Sequence, residues 1–107
     1  MLFSFSIAPS GPGSADADGS VSAAVAAAVR VVRESGLPHE TTSMFTTIEG
    51  EWDECLAVIK GACDAVAAHA PRVGLVLKAD LRPGYTGQLQ AKVERVEDHL
   101  SRDGGDG

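Results

Sequence analysis

At 107 residues the chain has room for one domain around a modest core. Its formal charge of −6, with only nine scattered Lys and Arg residues, leaves no basic footprint for a phosphate backbone and argues against nucleic acid. No apolar run approaches the roughly 18 residues that cross a bilayer, and with three Phe, one Trp and one Tyr the interior must be built largely from Val, Leu, Ile and Ala.

The opening Met1–Leu2–Phe3–Ser4 lacks the basic segment of a signal peptide, so a cytoplasmic chain is expected. Leu2 to Ala8 alternates, with Phe3, Phe5 and Ile7 on one side and Leu2, Ser4, Ser6 and Ala8 on the other, the period of a half-buried strand. Pro9 to Gly19 reads as an irregular loop. Ser20 is an expected N-cap, and Val21, Val25, Ala28, Val29 and Val32 form the apolar stripe of a first helix that ends at Gly36 before Pro38. His39 to Phe45 is extended in pattern and Thr46 to Glu49 continues as strand, with a turn or bulge near Met44–Thr46. A second helix is expected from Glu51 to about Ala70, stopped by Pro71, with Trp52, Cys55, Leu56, Ile59, Cys63 and Val66 as its buried stripe. Gly61 inside it costs about 1 kcal/mol relative to Ala. Val73 to Leu81 is the most strand-like run, with Val73, Leu75, Leu77, Ala79 and Leu81 on one face and Val76, Lys78 and Asp80 on the other. After a loop over 82–87, Leu89, Val93, Val96 and Leu100 mark a short terminal helix; 101–107 is a polar tail expected to be disordered.

The order strand, helix, strand, strand, helix, strand, helix makes two split βαβ units. It predicts an α+β, ferredoxin-like βαββαβ fold over residues 1–100: a four-stranded antiparallel sheet with both long helices on one face and an extra C-terminal helix. The other sheet face should carry Ser4, Ser6, Thr47, Glu49, Lys78 and Asp80 among Leu2, Val76 and Met44. Such a half-polar surface suits a partner sheet or a ligand.

Few residues offer chemistry. Cys55 and Cys63 sit eight apart in one helix, on the order of 12 Å along its axis, beyond the roughly 7 Å Cα separation a disulfide allows. His69 and His99 fall at helix C-termini, where a cation is favoured, and His39 precedes a strand. No nucleophile-and-base set, phosphate loop or metal-spaced histidine appears, so neither catalysis nor a metal is expected. In Glu49–Gly50–Glu51–Trp52–Asp53–Glu54, the first turn of a helix accounts for Glu51, Asp53 and Glu54. Glu49 still lies on the strand, where it either pairs with Lys78 or receives a cationic or amino-bearing ligand.

Several stretches resemble one family. Met44–Phe45–Thr46–Thr47–Ile48–Glu49–Gly50–Glu51–Trp52–Asp53–Glu54 is similar to the signature of the small thiamine-binding proteins. So are Ser6–Ile7–Ala8–Pro9, Arg33–Glu34–Ser35–Gly36–Leu37–Pro38, Ala70–Pro71–Arg72–Val73, Lys78–Ala79–Asp80–Leu81–Arg82 and Lys92–Val93–Glu94–Arg95–Val96–Glu97. The resemblance covers about residues 2–100. It implies a ferredoxin-like fold, self-assembly through sheets as a homodimer or a dimer of dimers (a homotetramer), and binding of thiamine (vitamin B1) or a related hydroxymethylpyrimidine as a ligand rather than a cofactor. A site for thiamine wants a carboxylate, hydroxyl partners and an apolar wall. Glu49, Ser6 and Thr46 or Thr47 would supply the first two, Met44 and Phe45 the third, with Lys78 nearby. The Ala15–Gly19 stretch is longer than the family's connection. Three functions compete: a non-enzymatic thiamine binder, an assembly or regulatory module whose sheet face serves only oligomerisation, and a small salvage enzyme, which lacks a base-nucleophile set.

Overall fold

A computed structural model describes residues 1–13, 22–42, 44–84, 86–89, 96 and 100. Six elements follow in chain order: β1 (Leu2–Ser10), α1 (Ser22–Glu34), β2 (His39–Thr41), β3 (Thr46–Glu49), α2 (Trp52–Ala67) and β4 (Arg72–Asp80). The strands form one antiparallel sheet in the order β2-β3-β1-β4. This is the expected ferredoxin-like arrangement: β1 is central, and each helix connects two parallel, non-adjacent strands. The expected terminal helix, the 101–107 tail, the Ser20 cap and the Ala15–Gly19 loop all lie wholly or mainly outside the described residues.

The two faces of the sheet follow from strand alternation. Phe3 and Phe5 of β1, Ile48 of β3, Cys55, Ile59 and Ala62 of α2, and Val32 of α1 form the core. Burying a side chain such as Phe or Ile contributes about 1.5–3 kcal/mol. Gly61 lets the two helices close: a Cβ there would lie 3.3 Å from Val31 Cγ1.

Three expectations need correction. β1 runs through Pro9 and Ser10 instead of ending at Ala8, since β4 pairs with it along its whole length from Leu2↔Asp80 to Ser10↔Arg72. It ends in a turn at Gly11, whose φ of +96° and contact with Pro71 leave no room for a side chain. Trp52 is not the buried anchor of α2: it is 43% exposed at the first position of the helix and touches the core by an edge-to-face contact with Phe3 at 5.7 Å. Helical periodicity places Trp52 on the right stripe, but a first-turn position overhangs the end of the core. On α1, Ala24 and Val32 are buried whereas Val25 is exposed, so the stripe is rotated from the Val-based one.

The β2–β3 connection closes without glycine. Thr42 N–H donates to the Phe45 carbonyl at 2.8 Å, and the Thr42 hydroxyl donates to that carbonyl while accepting the Phe45 N–H. One threonine thus supplies the hydrogen bonds that an Asn-Gly turn would provide through backbone geometry. Among the described residues, no helix is long and apolar enough to cross a membrane.

Candidate functional site

The residues singled out from the sequence separate onto two sides of the sheet. On the open face, Ser4 stands between Thr47 of β3 and Lys78 of β4. Ser4 and Thr47 share a 3.0 Å hydrogen bond between their hydroxyls. That contact marks a pair whose main chains do not bond one another, the closer-spaced kind in an antiparallel ladder.

Glu49 belongs to the same face but is not open to a ligand. It is only 6% exposed, and its Oε2 accepts the main-chain N–H of Gln88 at 2.7 Å. Lys78 is not its counter-charge: in the register Glu49 aligns across Leu2 with Asp80, and Glu49 forms no ion pair with Lys78. The carboxylate fastens the segment after β4 onto the sheet; a hydrogen bond between an ionised group and an N–H is among the stronger kinds.

The neighbouring acids are helix machinery. Glu51 is the N-cap of α2, and Glu54 reaches back to accept its N–H at 2.7 Å, one half of a capping box. Asp53 and Glu54 place negative charge in the first turn, where the dipole favours it. Gly50 leaves space for this: a Cβ there would sit 2.6 Å from Glu54 Oε1 and 3.1 Å from Cys55 Sγ. Both cysteines are free. Burial, then the charge of Glu54, pushes the Cys55 thiol up to about 11; burial also raises Cys63. Neither has the lowered pKa of a nucleophile.

The other named residues gather on the helix side. A cleft of about 160 Å³ is lined by Phe5, Ser6 and Ile7 of β1, Val25, Ala28 and Val29 of α1, Val66 of α2, and Thr41, Thr42, Met44, Phe45 and Thr46 around the β2–β3 connection. Met44, Phe45 and Thr46 come together here; Ser6 also borders the cleft, but strand alternation turns its side chain to the open face with Ser4, and Thr47, Glu49 and Lys78 do not line it. Among the described residues, no charged side chain lines it. The valines of α1 were missed as site residues because an apolar helical stripe reads as core. The signal available was the alanine content of α1: the small Ala28 lies between Val25 and Val29 along the cleft wall.

The architecture is a four-stranded ferredoxin-like sheet with a small cleft under one helix, uncharged among its described lining residues. The comparisons make this specific: the chain belongs to the thiamine-binding protein family, whose model matches residues 3–97. It is 48% identical over 103 residues to a UPF0045 protein of Mycobacterium bovis, covering 95% of this chain and 96% of the relative. Among solved structures, a hypothetical protein of Methanocaldococcus jannaschii is 32% identical with a TM-score of 0.76, covering 90% and 94% of the two chains. A candidate thiamine biosynthesis/salvage protein from Thermotoga maritima shares the fold, with a TM-score of 0.69 over 87% and 96% of the chains at 23% identity.

Proposed function

We propose that this protein binds thiamine or a related hydroxymethylpyrimidine without turning it over, and that the cleft between α1 and the β2–β3 connection receives the ring. The observation that carries the reading is the gathering of Met44, Phe45 and Thr46 with Val25 and Val29 around one cleft in a chain of the thiamine-binding family. Its size decides which part of the ligand enters. A cavity of about 150 Å³ accommodates benzene, so about 160 Å³ fits one six-membered ring and not the two rings of thiamine. An uncharged lining favours the neutral aminopyrimidine over the thiazolium cation, whose desolvation would go uncompensated. The thiazolium of thiamine would therefore project past Met44 and Phe45 towards solvent, and Glu49 has no part in holding it.

Titration calorimetry with thiamine and with 4-amino-5-hydroxymethyl-2-methylpyrimidine tests this. Both should bind, and Ala28→Phe, which fills the cleft, should abolish the heat while Glu49→Gln leaves ligand affinity within about twofold. Silence of the wild-type protein with both compounds at high micromolar concentration refutes the reading.

A specific observation also favours self-association. Leu75, Val76 and Leu77 of β4 are 44%, 61% and 40% exposed on a nine-residue edge strand, the kind of edge that pairs with another chain. We infer a homo-oligomer built through β4 and the open sheet face, compatible with ligand in the cleft on the opposite side. The pure assembly-module reading predicts the same oligomer and no ligand heat.

A further inference from the structure

β1 outruns its neighbour on one side. β4 pairs with it through Ser10, but pairing with β3 ends at Phe5↔Thr46. In a central strand, alternate residues direct both main-chain polar groups to alternate neighbours. Which residues face β3 is fixed by the Gly50 N–H, which donates to the Met1 carbonyl at 3.1 Å. Met1, Phe3 and Phe5 therefore address β3, and Ile7 and Pro9 address the same side further along.

Two independent features agree with this parity. Ser4 and Thr47 make a hydroxyl contact of 3.0 Å, as expected of a pair lacking main-chain bonds. Pro9 has no N–H, yet sits within the β1–β4 ladder opposite Val73. A proline is tolerated in a strand where its nitrogen faces away from the paired neighbour, so the nitrogen of Pro9 points to the β3 side, where no strand accompanies it.

The next partner of Ile7 would be Met44, but β3 begins only at Thr46 and Met44 lies in the connection, largely exposed. Among the described residues, nothing pairs with the Ile7 main chain on that side. Both Ile7 and Met44 line the cleft. A main-chain N–H and C=O facing a cleft are obligatory hydrogen-bonding groups in want of partners.

We propose that the main-chain N–H and C=O of Ile7 form the recognition element of the cleft, and that they select a heteroaromatic ring carrying an amino group beside a ring nitrogen. The N–H donates to the ring nitrogen and the C=O accepts from the amino group. The ring then occupies the place that the missing residue of β3 would take, with Val25, Val29 and Phe45 as its apolar walls. This rests on the pyrimidine-binding reading above and adds how the ring is read. Main-chain recognition also explains how a cleft whose described lining holds no charged or amide side chain can be selective: a ring lacking the donor leaves the Ile7 carbonyl unpartnered.

The test uses the full-length wild-type protein and two probes, 4-amino-5-hydroxymethyl-2-methylpyrimidine and its 4-dimethylamino counterpart, which has no donor. Calorimetry gives both affinities, and NMR hydrogen exchange follows the Ile7 amide. The expected result is an affinity loss of about tenfold or more for the dimethylamino compound, together with Ile7 amide exchange slowed at least about tenfold when the parent compound saturates the protein. Equal affinities overturn the proposal and leave the pyrimidine reading standing. So does a weakened analogue with unchanged Ile7 exchange, which would mean simple crowding at the amino position. Absence of binding by the parent compound, and by thiamine, overturns both.

Discussion

β1 and β4 are both nine residues long and pair with each other residue for residue, yet their surroundings differ completely. Phe3 and Phe5 of β1 lie in the core beneath the helices, while every residue of β4 except Val73 is exposed. The composition of the two strands does not explain this, since both alternate apolar side chains. Position in the sheet does: β1 is central and faces the helices, and β4 is an edge that the helices only partly cover. Strand pattern reports that a residue is suited to burial, whereas topology determines whether this chain alone provides it. The surplus on β4 is the surface that the proposed homo-oligomer would cover.

The contrast can be broken most strongly from the β1 side. Phe3→Ala, at a fully buried position, should cost about 3–5 kcal/mol in urea unfolding. Leu77→Ala on β4 should cost less than about 1 kcal/mol at concentrations where the chain is monomeric; equal costs would mean that β4 is covered within a single chain.

A smaller effect comes from the thiol packed with Phe3 and Ile48. Cys55 has a folded-state pKa of about 11 against 9.0 for an ordinary thiol. The folded state thus retains a proton that the unfolded chain has lost. Its contribution is complete below about pH 9, falls as pH rises from 9 through 11, and is gone above. The total is on the order of 2 kcal/mol. Cys55→Ala should flatten that decline relative to wild type when unfolding is followed across pH 8–11, leaving a residual slope from Cys63, which is raised in the same direction. An unaltered slope would place the ionisation elsewhere.

Glu54→Ala, which removes the acceptor for the Glu51 N–H, should lower stability by about 0.5–1 kcal/mol; a neutral result in thermal melts would remove the capping role. Smallest in stability but most informative about β4 is Val76→Lys. Monomer stability should stay within about 0.5 kcal/mol, while sedimentation shows loss of the oligomer. An oligomer that survives this change does not use β4 or the open face.

These elements also show what the sequence could convey. Strand and helix order, the ferredoxin-like topology and the division of Glu49 from the helix-starting acids were readable, because alternation, helical stripes, Gly36 and Pro71 are local signals. The partner of Glu49 was not: Gln88 is 39 positions away, and only the path of the chain after β4 brings its N–H to the carboxylate. The cleft was half readable. Met44, Phe45 and Thr46, singled out from the sequence, do border the cleft, but the walls contributed by Val25 and Val29 depend on how α1 is rotated over the sheet. The free edge at Ile7 depends on where β3 stops, and a strand boundary set by a threonine-closed turn has no strong sequence marker.

The central claim is that ligand binds under α1 rather than on the open face of the sheet. NMR chemical-shift mapping with 4-amino-5-hydroxymethyl-2-methylpyrimidine tests it most directly. Binding under α1 predicts saturable shifts at the Val25, Val29 and Met44 methyls and the Ile7 and Thr46 amides, with Ser4, Thr47 and Lys78 little changed. Shifts confined to Ser4, Thr47 and Lys78, with the cleft methyls still, would contradict it.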